Sequence, residues 1–101
     1  MTPWELLEKM DPELYAKTNA WRKGIDAEPA IPAKYQEMMK LAMASVLRFD
    51  AAIISHTETA IAAGATKEEL FATLAQAMML GGIPAYRNAA TLLADTIMGL
   101  K

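Results

Sequence analysis

His56 is the only histidine of the chain, and its imidazole is the side chain best suited to proton transfer near neutral pH. The reference pKa of imidazole, about 6.5, lets the ring both donate and accept a proton in this range. The spacing favours a helix in which His56 lies on or beside an apolar face. Its neighbours at helical spacing are Ala52, Ile53, Ala60 and Ala63. Two interpretations follow: a general acid/base, or a core-edge histidine whose ring is satisfied by a backbone carbonyl or a carboxylate.

Glu37 supplies a carboxylate that can orient this ring. If the chain reverses near Arg48, Glu37 lies eleven residues before the bend and His56 eight after it. Antiparallel helices then bring both residues to similar heights, offset by about one turn at roughly 1.5 Å per residue. A carboxylate beside the ring would stabilise its cationic form, so the pair is a candidate acid/base couple. In the alternative interpretation, Glu37 is solvated and pairs with Lys34 or Lys40 on its own helix.

Tyr86 and Arg87 are further candidates, for substrate binding rather than for proton transfer. Both follow Pro84, which is a typical residue for the first turn of a helix. The start of a helix favours negative charge, and a guanidinium binds carboxylates well. The two residues are therefore expected to hold an anionic substrate, unless Arg87 is simply solvated.

The composition excludes several classes of chemistry. The chain has no cysteine, so it forms no disulfide, offers no thiolate nucleophile, and lacks the ligands of Cys-bound zinc or iron–sulfur clusters. A single histidine also excludes the usual multi-histidine metal sites within one chain. We therefore expect no metal site within one chain.

Charge and hydropathy limit the partners. Ten basic and twelve acidic residues give a net charge of −2, without blocks of either sign, which does not favour binding to nucleic acid or to an anionic membrane. No apolar stretch approaches the roughly 18 residues that span a bilayer. The N-terminal residues lack the basic and then apolar pattern of a secretory signal. We expect a cytoplasmic protein with a small-molecule substrate.

The size and apolar content predict one self-associating domain. A chain of 101 residues is long enough for one domain and too short for two. Apolar residues make up 53% of it, more than one small core easily buries. Self-association is the ordinary way to cover such an excess, so we expect a homo-oligomer.

Helix signals recur along the whole chain and no alternating strand pattern occurs, so we predict an all-α fold of about five to six helices. The single domain over residues 1–101 is expected to contain N-terminal helices in residues 1–24 and core helices in residues 33–101. A break is predicted at Asp11-Pro12, a stop at Lys23-Gly24, and a connection over residues 25–32.

The core helices are predicted to begin with a helical hairpin. Its two arms cover residues 33–47 and 49–63, and Gly64 ends the second arm. Thr66 and Glu69 form a capping box that opens the next helix, which runs through Leu80. Gly81-Gly82 is expected to stop that helix, and Pro84 to begin the last one.

These motifs together resemble the carboxymuconolactone decarboxylase and alkylhydroperoxidase D superfamily. Redox-active members carry a Glu, eleven residues, a Cys-x-x-Cys pair, three residues and a His. In this chain Glu37 and His56 stand at the same spacing, and Phe49 and Ala52 occupy the two cysteine positions. The resemblance continues in the Gly-Ala-Thr-Lys-Glu-Glu-Leu run over residues 64–70, and in Gln76 followed by Gly82 and Pro84-Ala85.

The resemblance implies an all-α fold whose central hairpin builds the site, assembled as a trimer or hexamer. It also implies that Glu37 and His56 are catalytic, and we include Phe49 with Tyr86 and Arg87 as candidate substrate-binding residues. Thiol peroxidase chemistry needs an attacking thiolate and a resolving thiol, and Phe49 and Ala52 supply neither. The decarboxylase branch, which uses no cysteine pair, implies a cofactor-independent lyase or proton-transfer enzyme on a small cyclic carboxylated substrate. The alternative is a non-redox homologue that serves as a ligand-binding or structural oligomer.

Overall fold

The computed structural model describes all 101 residues and contains helices without strands. The all-α prediction is therefore confirmed. None of the five helices combines the length and apolarity that crossing a bilayer requires. The helices are α1 (Pro3–Met10), α2 (Pro12–Asp26), α3 (Ala33–Leu47), α4 (Asp50–Ala62) and α5 (Lys67–Met98).

The chain divides into two compact units, residues 1–31 and residues 32–101. The first unit contains α1 and α2, and the second contains α3, α4 and α5. The assignment of both units to one domain stays a prediction.

The N-terminal unit is a pair of helices, each capped at its start by a side chain. Thr2 and Glu5 form a reciprocal capping box at the start of α1. The Asp11 carboxylate accepts a hydrogen bond from the Leu14 N–H at 3.0 Å and so caps α2. Neither helix contains a buried residue, although the Arg22 guanidinium lies 4.1 Å from the centre of the Trp4 ring. This unit therefore has little core of its own.

The predicted stop at Lys23-Gly24 is wrong, because α2 continues to Asp26. Gly24 does not adopt a positive φ, and the Ala27 N–H donates to the Lys23 carbonyl beyond it. Glycine weakens a helix interior by about 1 kcal/mol through backbone entropy, but it does not block helical geometry. Gly24 does not take the left-handed conformation in which a glycine commonly ends a helix.

The core unit is built on α3, which packs against both α4 and α5. The first part of α5 buries Leu70, Leu74 and Ala77, which share one face of the helix. Small or hydroxyl-bearing side chains line much of the interior, which lets the helix backbones approach closely. The buried core cluster contains Leu41, Ala44, Ile53, Ala60, Ala65, Leu70, Leu74, Ala89 and Leu93.

The hairpin of α3 and α4 has the predicted bounds to within one residue. Arg48 forms the bend in a left-handed conformation, with φ 55° and ψ 40°. This is an unusual backbone for a residue with a Cβ atom. Gly64 follows the end of α4 with φ 100°, at the place where the sequence predicts that the second arm ends.

The long helix α5 is interrupted at Gly82, where φ 73° and ψ 179° depart from helical geometry. The predicted break at Gly81-Gly82 is thus present, although helical residues continue directly on both sides of it. A Cβ atom on Gly81 would lie 2.6 Å from the Ala85 Cβ and 3.3 Å from the Val46 Cα. Glycine at position 81 therefore allows the close approach of α5 to α3 beside the break.

Candidate active site on the helical hairpin

Glu37 of α3 and His56 of α4 meet across the helical hairpin. The Nδ1 atom of His56 lies 2.7 Å from the Oε2 atom of Glu37. The two helices reverse at Arg48, so the residues reach similar heights on adjacent antiparallel helices, and their side chains span the remaining offset. The predicted pairing is therefore present, whereas a catalytic role for the two residues stays a prediction.

Two further side chains hold the Glu37 carboxylate. The Thr59 hydroxyl donates to Oε2 at 2.8 Å, the same oxygen that His56 contacts. The Lys40 ammonium lies 3.4 Å from the other oxygen, Oε1. Of the two lysines considered as partners of Glu37, Lys40 makes the contact, while Lys34 pairs with Glu69 at 3.0 Å. The carboxylate thus has partners on both of its oxygens.

This environment keeps Glu37 ionised. Burial by itself raises the pKa of the Glu37 carboxyl, since it disfavours the charged form. The hydrogen bonds from His56 and Thr59, and the charges of Lys40 and His56, outweigh burial and hold the pKa below its ordinary value. An ionised Glu37 accepts hydrogen bonds and donates none, so the Nδ1 atom of His56 must carry the proton of their shared bond.

The other nitrogen of the ring, Nε2 of His56, makes no hydrogen bond to the rest of the chain. The His56 side chain keeps 30% of its surface exposed, compared with 17% for Glu37. With Nδ1 protonated, a neutral ring carries its lone pair on Nε2. The arrangement can therefore take up or release a proton at Nε2 of a ring that is partly exposed.

The remaining predicted site residues lie on other parts of the core unit. Tyr86 is half-buried and packs edge-on against Phe71, with ring centres 6.4 Å apart, so part of its surface belongs to the core. Arg87 is exposed on α5 after the break. Phe49 precedes α4 and is 59% exposed. No hydrogen bond joins any of the three to Glu37 or His56, so their role in substrate binding stays a prediction.

One contact ties the segment of Arg87 to the hairpin. The amide of Asn88 donates to the Asp50 carboxylate at 2.9 Å. Asp50 begins α4, so this bond holds the part of α5 after the break beside the start of the helix that carries His56.

Two open apolar grooves lie between α3 and the first part of α5, apart from the Glu37–His56 pair. Their volumes are about 410 Å³ and about 240 Å³, and neither is lined by Glu37 or His56. The larger groove is lined by Ala42, Met43, Val46, Leu47, Gln76, Ala77 and Leu80. The smaller one is lined by Tyr35, Met38, Met39, Ala42, Thr73 and Gln76.

Thr59 is the member of this site that the sequence reasoning missed. It lies three residues after His56, which places both side chains on the same face of α4. That spacing is the signal from which Thr59 could have been predicted as a site residue. The hydroxyl carries no charge, however, and its bond to Glu37 of α3 depends on how closely the two helices pack.

Comparison with known proteins identifies the family. The sequence model of the carboxymuconolactone decarboxylase family matches residues 12–95, which is most of the chain. No curated protein and no solved structure shows significant similarity to it. The matched range includes α3, α4 and nearly all of α5, and hence Glu37, His56 and Thr59. By this match the chain belongs to the carboxymuconolactone decarboxylase family.

Proposed function

We propose that the protein is a cofactor-independent lyase or proton-transfer enzyme that acts on a small cyclic carboxylated substrate. The observation that carries this proposal is the 2.7 Å contact between Nδ1 of His56 and Oε2 of Glu37. It supports a ring that is oriented by a carboxylate at Nδ1 and whose side chain is partly exposed. Family membership supports decarboxylation as the reaction class.

In the proposed reaction, a carboxylated unsaturated lactone loses carbon dioxide. The bond between the ring carbon and the carboxyl carbon breaks, and its electron pair enters the conjugated system of the substrate. His56, protonated at both nitrogens, then delivers the Nε2 proton to carbon. Glu37 stabilises the cationic ring before this transfer, and solvent returns a proton to Nε2 afterwards. The proposed reaction requires neither an oxidant nor a metal.

The substrate carboxylate or carbonyl needs a polar clamp during this reaction. Arg87, with Tyr86 beside it, is our candidate within the chain, since a guanidinium binds a carboxylate through two hydrogen bonds. The bond between Asn88 and Asp50 supports this choice, because it holds the segment of Arg87 beside the start of α4. A residue of a neighbouring subunit is the alternative clamp.

The test is turnover of carboxylated lactones by the purified protein, followed as loss of the conjugated absorbance and release of carbon dioxide. We expect His56→Gln to lower kcat by about 10²- to 10⁴-fold, the usual contribution of one general acid or base. Glu58→Gln is the matched control, because Glu58 is exposed on the same helix and makes no contact with the pair. Unchanged turnover in His56→Gln would rule out the acid/base role.

A second candidate function is that of a non-redox homologue that binds a ligand or serves as a structural oligomer. The two apolar grooves favour it, since neither contains the proposed acid/base pair. A wild-type protein that turns over no carboxylated lactone, yet binds an apolar probe dye with saturation, would favour this function over the lyase.

Self-association is part of both candidate functions, and we place the oligomer in the cytoplasm. The support is physical: large apolar side chains are exposed on both compact units, among them Trp21, Leu47 and Leu80. We expect a trimer or hexamer of the 11.0 kDa chain. Light scattering coupled to size-exclusion chromatography gives the mass directly, and a monomer at micromolar concentration would contradict this expectation.

A further inference from the structure

Thr59 contacts the same carboxylate oxygen as the proposed acid/base. Its hydroxyl lies 2.8 Å from Oε2 of Glu37, and Nδ1 of His56 lies 2.7 Å from that atom. Thr59 and His56 both belong to α4, whereas Glu37 belongs to α3. Two donors on α4 therefore contact the same carboxylate oxygen of a residue on α3.

The hydroxyl of a threonine within a helix has an alternative acceptor in the helix backbone. It ordinarily donates to a carbonyl one turn earlier, and the buried hydroxyl of Thr57 does so toward the Ile53 carbonyl at 2.7 Å. Thr59 has such carbonyls within reach, those of Ser55 at 3.2 Å and His56 at 3.1 Å. Its contact with Glu37 is shorter than either. A hydroxyl has one proton to donate, so the charged carboxylate is its preferred acceptor.

Both oxygens of the Glu37 carboxylate therefore have partners. Thr59 and His56 occupy Oε2, and the ammonium of Lys40 lies 3.4 Å from Oε1. A carboxylate with only the His56 contact and the Lys40 contact could rotate about its terminal torsion, which is broad and twofold. The second donor on Oε2 restricts that rotation and keeps a lone pair of the oxygen aimed at the imidazole.

We infer that Thr59 is a positioning residue, which holds the Glu37 carboxylate against Nδ1 of His56, so that Nδ1 keeps its proton and Nε2 is the nitrogen that takes up and delivers a proton. The catalytic meaning of this inference rests on the proposed function. The positioning itself can be measured without any substrate, because His56 is the only histidine and its ring nitrogens give unambiguous NMR signals.

The experiment compares Thr59→Val, which keeps the shape and removes the hydroxyl, with Thr59→Ser, which keeps the hydroxyl. Ring ¹⁵N shifts, recorded where further addition of base no longer changes them, report the tautomer of the neutral His56 ring. Carboxyl ¹³C shifts during an acid titration report the midpoint of Glu37. In the wild type and Thr59→Ser we expect the Nδ1–H tautomer to dominate. In Thr59→Val we expect a smaller Nδ1–H fraction and a higher Glu37 midpoint.

Activity is the second readout. If the wild type turns over a carboxylated lactone, we expect Thr59→Val to lower kcat about fivefold, the effect of one lost hydrogen bond, with little change in KM, and Thr59→Ser to restore it. Thr59 is exposed, so the valine variant is expected to fold, and Thr59→Ala provides a second hydroxyl-free variant.

The inference is overturned if Thr59→Val leaves both the tautomer and the Glu37 midpoint unchanged, or if Thr59→Ser shifts them as much as valine does. These outcomes are separate from the proposed function. Turnover that depends on His56, combined with unchanged NMR signals in Thr59→Val, would keep the proposed function and reject the positioning role. If the NMR signals shift in Thr59→Val and are restored in Thr59→Ser, but the protein shows no turnover, the positioning role is kept and the proposed function is rejected.

Discussion

Nδ1 of His56 lies 2.7 Å from Oε2 of Glu37, although nineteen positions separate the two residues along the chain. The contact joins α3 to α4 across the hairpin, so it both stabilises the packed helices and orients the ring. The same bond thus has a structural and a proposed catalytic consequence, and the two can be separated by experiment.

The structural consequence is a dependence of stability on pH. The pKa of Glu37 is lower in the folded chain than its ordinary value of 4.5, so folding favours the ionised form. The resulting stabilisation is complete above that ordinary value and is lost as the pH falls through the lower, folded pKa. We expect the stability difference between the wild type and Glu37→Gln to shrink as the pH falls from about 6 to about 3. Urea unfolding at several pH values measures it.

The control for this pH series is Glu58→Gln, which removes an exposed carboxylate from α4, the helix that carries His56 and Thr59. Its stability difference from the wild type is the baseline with which the Glu37→Gln difference is compared. If the Glu37→Gln difference changed with pH no more than this baseline does, the bonds from His56 and Thr59 would not stabilise the carboxylate.

Gly81 tests the close packing beside the break, where it approaches both Ala85 of α5 itself and Val46 of α3. An added Cβ atom would lie 2.6 Å from the Ala85 Cβ and 3.3 Å from the Val46 Cα. The first distance is shorter than the contacts that Cβ atoms make in folded proteins. We expect Gly81→Ala to lower the free energy of unfolding by about 1 to 3 kcal/mol, the usual effect of overpacking. Thermal or urea unfolding followed by circular dichroism measures this change.

Gly24 is the matched control, because it is also helical but has no atom within 4 Å of an added Cβ. Gly24→Ala should increase the stability of α2 by up to about 1 kcal/mol, the difference in helix propensity between the two residues. If both alanine variants gained stability equally, the close approach at Gly81 would be disproved.

Gly82 tests the break in α5 independently of packing. Its φ of 73° and ψ of 179° are open to glycine and strained for other residues, while its nearest contact for a Cβ atom is an ordinary 3.5 Å. We expect Gly82→Ala to destabilise the core unit by about 1 to 3 kcal/mol through backbone strain alone. An alanine variant as stable as the wild type would mean that the break does not need this conformation.

Arg48 tests the bend of the hairpin. It adopts φ 55° and ψ 40°, a left-handed conformation that glycine takes without the Cβ clash. We expect Arg48→Gly to raise the free energy of unfolding by about 0.5 to 1 kcal/mol. Arg48→Val should lower it, because a β-branched residue is especially strained there. A stability order with valine above glycine would contradict the left-handed bend.

Much of the helical architecture was predictable because its signals are local. The capping box of Thr66 and Glu69 and the left-handed glycine at position 64 stand where the sequence indicates. The bounds of α3 agree with the prediction, since Pro32 precedes it and no other breaker lies within it. The prediction that α2 ends at Gly24 was wrong, because a glycine can be either a weak residue inside a helix or the residue that ends one.

The sequence by itself determined the helix class, the absence of thiol chemistry, and the spacing that puts Glu37 and His56 on facing arms of a hairpin. These properties depend on residue identity and on helical periodicity, which are properties of short stretches. Tertiary structure alone decided that Thr59 shares a carboxylate oxygen with His56, and that Tyr86 packs against Phe71. Such contacts depend on how far apart two helices lie and how they are rotated, which is set by packing the whole core.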